Sequence, residues 1–172
     1  FLQYIINVNK MHLYKERELY KVLIKAEKQL FTSPRIKLER TLLWRKEYLT
    51  HIPAVYAIFE NDKLIYIGET GDLLKRMSDF TRTVNHSFRK QMGYRLFGGI
   101  KSKKKFDDDI EFQLDKYLDD MLYIQFIEVN FGRLEIETYL IDKYKDQLIN
   151  GPKKRKVKYN HKLLNTLFHE EC

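Results

Sequence analysis

Tyr56 and Tyr66, ten apart, Arg76, and the close pair Glu135 and Glu137 are residue types able to hold a proton, a phosphate or a cation. The choice of Glu137 over its neighbour follows from helical geometry. Residues two apart on a helix point about 200° from each other, so Glu135 and Glu137 cannot share a face. Glu137 precedes Leu140, Ile141 and Tyr144 by three, four and seven residues and rides on the apolar stripe, whereas Glu135 goes with Thr138 and Asp142. An acid on an apolar face needs a metal or an ionic partner, and Arg76 is the ionic alternative. For the tyrosines, register decides whether they meet, because only directly opposed residues of an antiparallel hairpin share a face without offset. A two-residue turn at Asn61-Asp62 would pair Tyr56 with Ile67 and send Tyr66 to the other face. A three-residue loop, Glu60 to Asp62, pairs Tyr56 with Tyr66, and that odd register is the expected one.

These groups need a scaffold, and apolar periodicity supplies its outline. Leu13, Tyr20, Leu23, Ile24, Leu30 and Phe31 recur at helical spacing. Ser33-Pro34 then reads as an N-cap with proline in the first turn of a second helix, carrying Leu38, Leu42, Leu49 and Ile52 and ending before Pro53. With Lys21, Lys25, Lys28, Arg35, Lys37, Arg40 and Lys46 on the outer faces, residues 1–52 read as a basic helical hairpin. That outer surface is either solvated or in contact with DNA. Ala54 to Phe59 and Leu64 to Gly68 form a β-hairpin. Gly71-Asp72 opens a helix striped by Leu73, Leu74, Met77 and Phe80, with Asp72 as cap and Arg76 at the stripe's edge. Thr81 to Phe97 supports a helix only weakly. Near 98–110, the lysines ending at Lys105 and the acids Asp107 to Asp109 read as a mobile basic loop. Met121 to Val129 is a third, central strand, apolar on both parities. A helix runs from Arg133 to about Gln147, stopped by Asn150, Gly151 and Pro152, and 153–172 reads as a basic tail. The fold class is α/β of the α+β type: a small, mainly antiparallel three-stranded sheet flanked by helices over 53–152, behind the N-terminal hairpin.

Composition narrows the partners. The 172 residues suit one domain, and 32 Lys and Arg against 24 Asp and Glu give a net charge of +8, the balance of a nucleic-acid-binding protein. The apolar share of 44% is too high for a disordered chain, and the charge is too evenly interspersed for a membrane span. The single cysteine, Cys172, excludes an internal disulfide framework and fits an intracellular compartment, cytoplasmic or nucleoid-associated. Phe1 to Asn7 lacks the basic region and cleavage site of a secretory signal, and a few residues are expected to precede Phe1.

Ala54-Val55-Tyr56, nine intervening residues and Tyr66-Ile67-Gly68 resemble the signature of the GIY-YIG nucleases, with Ala54 and Val55 standing in for Gly and Ile. Arg76, eight residues past Gly68, resembles the family's arginine. Leu134 to Ile141 resembles its metal-binding glutamate helix, and Asn150 its terminal asparagine. The resemblance implies a phosphodiester hydrolase using Mg²⁺ or Mn²⁺ held by Glu137. It further implies Tyr56 orienting or deprotonating the attacking water, Tyr66 holding water or phosphate, Arg76 on the scissile phosphate and Asn150 as a buttress. His86 has a looser counterpart, either in proton transfer, in phosphate contact or as a plain surface residue. The phosphate-binding set would add Arg89 and two basic runs, Lys101, Lys103, Lys104 and Lys105, then Lys153, Lys154 and Arg155. The expected substrate is double-stranded DNA, the leading subtype a stand-alone restriction-modification endonuclease, with a homodimer left open. Repair, homing or mobile-element nucleases are the alternatives inside the family, and a binding module that kept the fold but lost cleavage is the alternative outside it.

Overall fold

The computed structural model describes residues 15–98, 105–150 and 159–170. Its centre is an antiparallel sheet of order β1-β4-β2-β3, formed by β1 (Ile36–Lys37), β2 (Ala54–Glu60), β3 (Lys63–Thr70) and β4 (Leu122–Glu128). Seven helices among the described residues flank it: α1 (Glu16–Thr32), α2 (Leu42–Tyr48), α3 (Leu73–Phe80), α4 (Ser87–Leu96), α5 (Asp108–Met121), α6 (Arg133–Tyr144) and α7 (His161–Glu170). The three expected strands are β2, β3 and β4, and the fourth is the two-residue edge strand β1. None of the described helices is long and apolar enough to cross a membrane.

The sheet is covered on both faces, which explains why β2 is buried from Ala54 through Phe59 without alternation. Ala54, Tyr56, Ile58 and Tyr66 face a core completed by Leu73, Met77 and Phe80 of α3, Phe88 and Met92 of α4, and Leu114 and Leu118 of α5. Val55, Ala57, Phe59 and Ile67 face a second core, with Ile24 and Leu30 of α1, Ile136 and Leu140 of α6, and Leu164 and Leu167 of α7.

The hairpin corrects the expected register. The turn is the two-residue one, Asn61-Asp62, with Glu60 opposite Lys63 and Asn61 at a positive φ of 52°. A bulge then inserts one extra residue into β3: Phe59 faces Leu64, but Ile58 faces Tyr66. Tyr56 consequently stands opposite Gly68, and opposite neither Tyr66 nor Ile67. The inserted residue reverses the parity set by the turn, so both tyrosines share one face, diagonally offset.

Three further readings change. Ser33 ends α1 instead of starting a helix: its N–H bonds to the carbonyls of Gln29 and Leu30, and its hydroxyl to that of Leu30 at 2.7 Å. The chain then runs extended through β1, and α2 begins only at Leu42, capped by Thr41, whose Oγ1 accepts from the Trp44 N–H at 3.1 Å. A helix, an edge strand and a short helix therefore replace the helical hairpin. Asp107 likewise opens α5, accepting from the Ile110 N–H at 2.9 Å, with Asp108, Asp109 and Glu111 favourably placed at the positive end of the helix. Finally, the tail contains α7, whose Leu164 and Leu167 are buried. Lys101, Lys103, Lys104, Lys153, Lys154 and Arg155 lie outside the described residues.

Candidate active site

Tyr56 is 1% exposed and Tyr66 8%, and their rings stack at 29° with centroids 6.2 Å apart. The Tyr56 ring lies across the backbone of Gly68: a Cβ built on that glycine would sit 2.3 Å from Cζ and 2.4 Å from Oη. Register and glycine are thus one feature. Because Tyr56 opposes position 68, only a residue without a side chain leaves room for its phenol. The two departures from the family signature are core positions by comparison. Ala54 and Val55 are fully buried in opposite cores, one on each face of the sheet.

His86 joins the tyrosines. It caps α4 with Nδ1, which accepts from the Phe88 N–H at 3.2 Å, and its Nε2 is 3.4 Å from Tyr56 Oη. With Nδ1 used as acceptor, the ring proton resides on Nε2 and points at the phenol oxygen. Burial, seconded by the positive charge of Arg76, lowers the imidazole pKa from 6.5 to about 3, so His86 is neutral at any physiological pH. Burial also pushes the Tyr56 phenol well above its usual 10, Tyr66, Glu137 and Glu69 adding to the shift and Arg76 opposing it. The resting site therefore holds a protonated phenol and a neutral imidazole.

Arg76 reaches this cluster from α3, the helix that Asp72 caps by accepting the Lys75 N–H at 2.9 Å. It is half-buried, and its charge bears on both Tyr56 and His86. Glu137 is 3% exposed and Glu135 exposed, as helical geometry requires. The other carboxylate that bears on Tyr56, Glu69, is paired with Arg133 at 3.2 Å. Among the described residues no three His, Cys, Asp or Glu converge as a metal cage. A single buried carboxylate such as Glu137 would fit a hard cation like Mg²⁺, which needs few protein oxygens because it keeps several waters.

Asn150 acts on the backbone. Its Oδ1 accepts from the Ile67 N–H at 3.0 Å and its Nδ2 donates to the Ile67 carbonyl at 2.7 Å, while the Ile149 N–H bonds to the Ile65 carbonyl at 2.8 Å. The segment after α6 thereby completes the outer edge of β3 and holds the Tyr66-Ile67-Gly68 triplet in place.

Arg89 does not belong to a phosphate-binding surface. It is 1% exposed, and its guanidinium is committed to Glu111 at 2.7 Å, Asp115 at 2.5 Å and the Thr83 hydroxyl at 2.9 Å. A buried guanidinium needs such carboxylates, so its interior place follows once α5 brings Glu111 and Asp115 against α4. Glu111 also accepts from Thr83 Oγ1 at 2.7 Å, and so clasps residues three before and three after His86. This bracket escaped sequence reading because its acids lie on a helix that periodicity had not separated from the preceding lysines. Lys105 is exposed and paired with Asp108 at 2.9 Å.

No curated protein and no solved structure matches the chain. A model of the GIY-YIG catalytic domain matches residues 52–150, more than half of the sequence, and its span starts just ahead of β2 and ends on Asn150. Within it lie both tyrosines, Gly68, Arg76, His86, Glu137 and Asn150. The chain belongs to the GIY-YIG nuclease family.

Proposed function

We propose that this protein is a divalent-metal-dependent endonuclease of the restriction type that cuts double-stranded DNA. The observation that carries the reading is the buried cluster in which Tyr56 is stacked on Tyr66, faces His86 Nε2 and feels the charges of both Arg76 and Glu137. Glu137 would hold Mg²⁺ or Mn²⁺, which would offset the charge of the phosphate and acidify the attacking water. Arg76 contacts a non-bridging oxygen of the scissile phosphate and stabilises the charge that builds there. Tyr56 orients the nucleophilic water; to accept its proton the phenol would first release its own to solvent, with Arg76 and a cation on Glu137 compensating the phenolate. Because His86 donates through Nε2, it cannot take the Tyr56 proton in this tautomer; its N–H instead steadies the phenolate. Tyr66 holds water or phosphate with its hydroxyl, and Asn150 keeps β3 aligned beneath the substrate. One such site cuts one strand at a time, so a double-strand break takes either two successive cuts by one protomer or two copies, as in a homodimer.

Supercoiled plasmid tests this directly. With Mg²⁺ the protein nicks and linearises it into discrete products, with chelator it does not, and Glu137→Ala is inactive under both conditions. Intact plasmid with every divalent cation overturns the proposal in favour of a binding module. A smear in place of discrete bands overturns the restriction-type reading alone.

A further inference from the structure

Glu27, on α1 and outside the matched catalytic module, is 3% exposed and surrounded by donors from α6. It accepts from Tyr139 Oη at 2.6 Å and Tyr144 Oη at 2.5 Å, and pairs with Lys143 Nζ at 2.7 Å. Burial and the neighbouring Glu27 charge both push the two phenols upward, so both remain protonated donors. The donors lie two, six and seven residues after Glu137 on the same helix. We infer that Glu27 is a positioning residue for the reaction: a carboxylate contributed by the N-terminal helix that fixes the rotation of α6 and with it the direction of Glu137.

Most of the remaining contacts between these helices and the sheet are apolar, among them Ile24, Leu30, Ile136 and Leu140; the polar ones, Arg133 with Glu69 at the start of α6 and Gln125 Nε2 with the Phe31 carbonyl near the end of α1, sit at helix ends. Apolar contact is non-directional and tolerates a helix turning about its axis. One residue step of such a turn swings a side chain through about 100°, enough to carry Glu137 out of the cluster. Three directed bonds to one buried acceptor forbid it, and a fully satisfied polar hub of this kind specifies a single arrangement. The first helix, whose outer basic face reads from sequence as solvated or in contact with DNA, thereby acts through its inner face on the catalytic unit.

The inference rests on Glu137 as the metal-binding acid, and its test keeps the two apart. Glu27→Gln keeps the shape of the side chain and removes its charge; Tyr144→Phe removes one hydroxyl and serves if the first variant fails to fold. Hydrogen exchange across 133–144 accelerates about tenfold in Glu27→Gln while β2 and β3 exchange as in the wild-type chain, a local opening and no global one. The Mg²⁺ concentration for half-maximal plasmid cleavage rises about threefold or more, while plasmid affinity in chelator is unchanged. Wild-type exchange in α6, or acceleration spread evenly over the domain, overturns the inference, as does an unaltered Mg²⁺ response. If Glu137→Ala cuts normally, the reading of Glu137 fails, and the exchange measurement still decides whether Glu27 holds α6.

Discussion

At Tyr56 a phenol has been taken out of water and set with Gly68 beneath the ring, Tyr66 beside it and the His86 N–H at 3.4 Å. Desolvation makes the neutral forms of both Tyr56 and His86 the stable ones, so any charge on Tyr56 must come with a compensating cation. His86 gives this a measurable consequence. Its folded pKa of about 3 lies below the 6.5 of the unfolded chain, so the unfolded state binds more protons between those values. Stability contributed by the neutral ring is complete above pH 6.5 and is lost progressively as the pH falls toward 3, to an upper limit of about 5 kcal/mol. Thermal melting of the wild-type protein should therefore drop over that window more steeply than melting of His86→Gln. The cleavage rate should show no inflection near pH 6.5, since His86 does not titrate there. Parallel melting curves would remove the buried neutral imidazole from the description.

The hairpin shows how far an element can be read from its residues. That two strands meet at Glu60 to Lys63 was legible from β-prone runs and a polar turn, and parity correctly identified register as the quantity that brings Tyr56 and Tyr66 together. The bulge between Ile58 and Phe59 was not legible, because nothing in the run Leu64-Ile65-Tyr66 distinguishes an inserted residue from a regular strand. Asp72 before α3 was recoverable because cap and periodicity agree, whereas the face of α6 was read only in part: Glu137 and Leu140 are inward as expected, but Leu134 is exposed and Thr138, expected outward beside Glu135, is buried. Helix α5 was lost because its acidic first turn, read beside the preceding lysines, imitates a charged loop. Gly68→Ala tests the hairpin. A methyl group 2.3 Å from Tyr56 Cζ forces the ring off the strand, so the variant should lose about 1–3 kcal/mol of stability. Its cleavage should fall about a hundredfold, the cost of displacing a reacting group by an ångström or so. An alanine variant that cuts at the wild-type rate would show that the close approach has no bearing on the chemistry.

Taken whole, the additions from both ends of the matched module meet on one face of its sheet, where α1 and α7 cover it, while on the other side Arg40 joins the module's own ionic group of Arg89, Glu111 and Asp115. Charge composition alone could not separate a basic residue that meets phosphate from one that meets an internal acid; Arg89 looked like the former and is the latter. Long-range pairings such as Glu27 with Tyr139 leave no local trace in sequence, since partners 112 residues apart are joined only by the fold. The four chemical residues were singled out by their likeness to the family signature, with helical geometry choosing Glu137 over Glu135, and the fold brings Tyr66, Arg76 and Glu137 within electrostatic reach of the Tyr56 phenol. Single-turnover cleavage by Tyr56→Phe is the most direct test of that phenol's part. The variant removes one oxygen from a ring that packing holds in place, and it should bind DNA as the wild-type protein does while its cleavage rate falls by about 10²- to 10⁴-fold. Cleavage at the wild-type rate would contradict a site built around Tyr56.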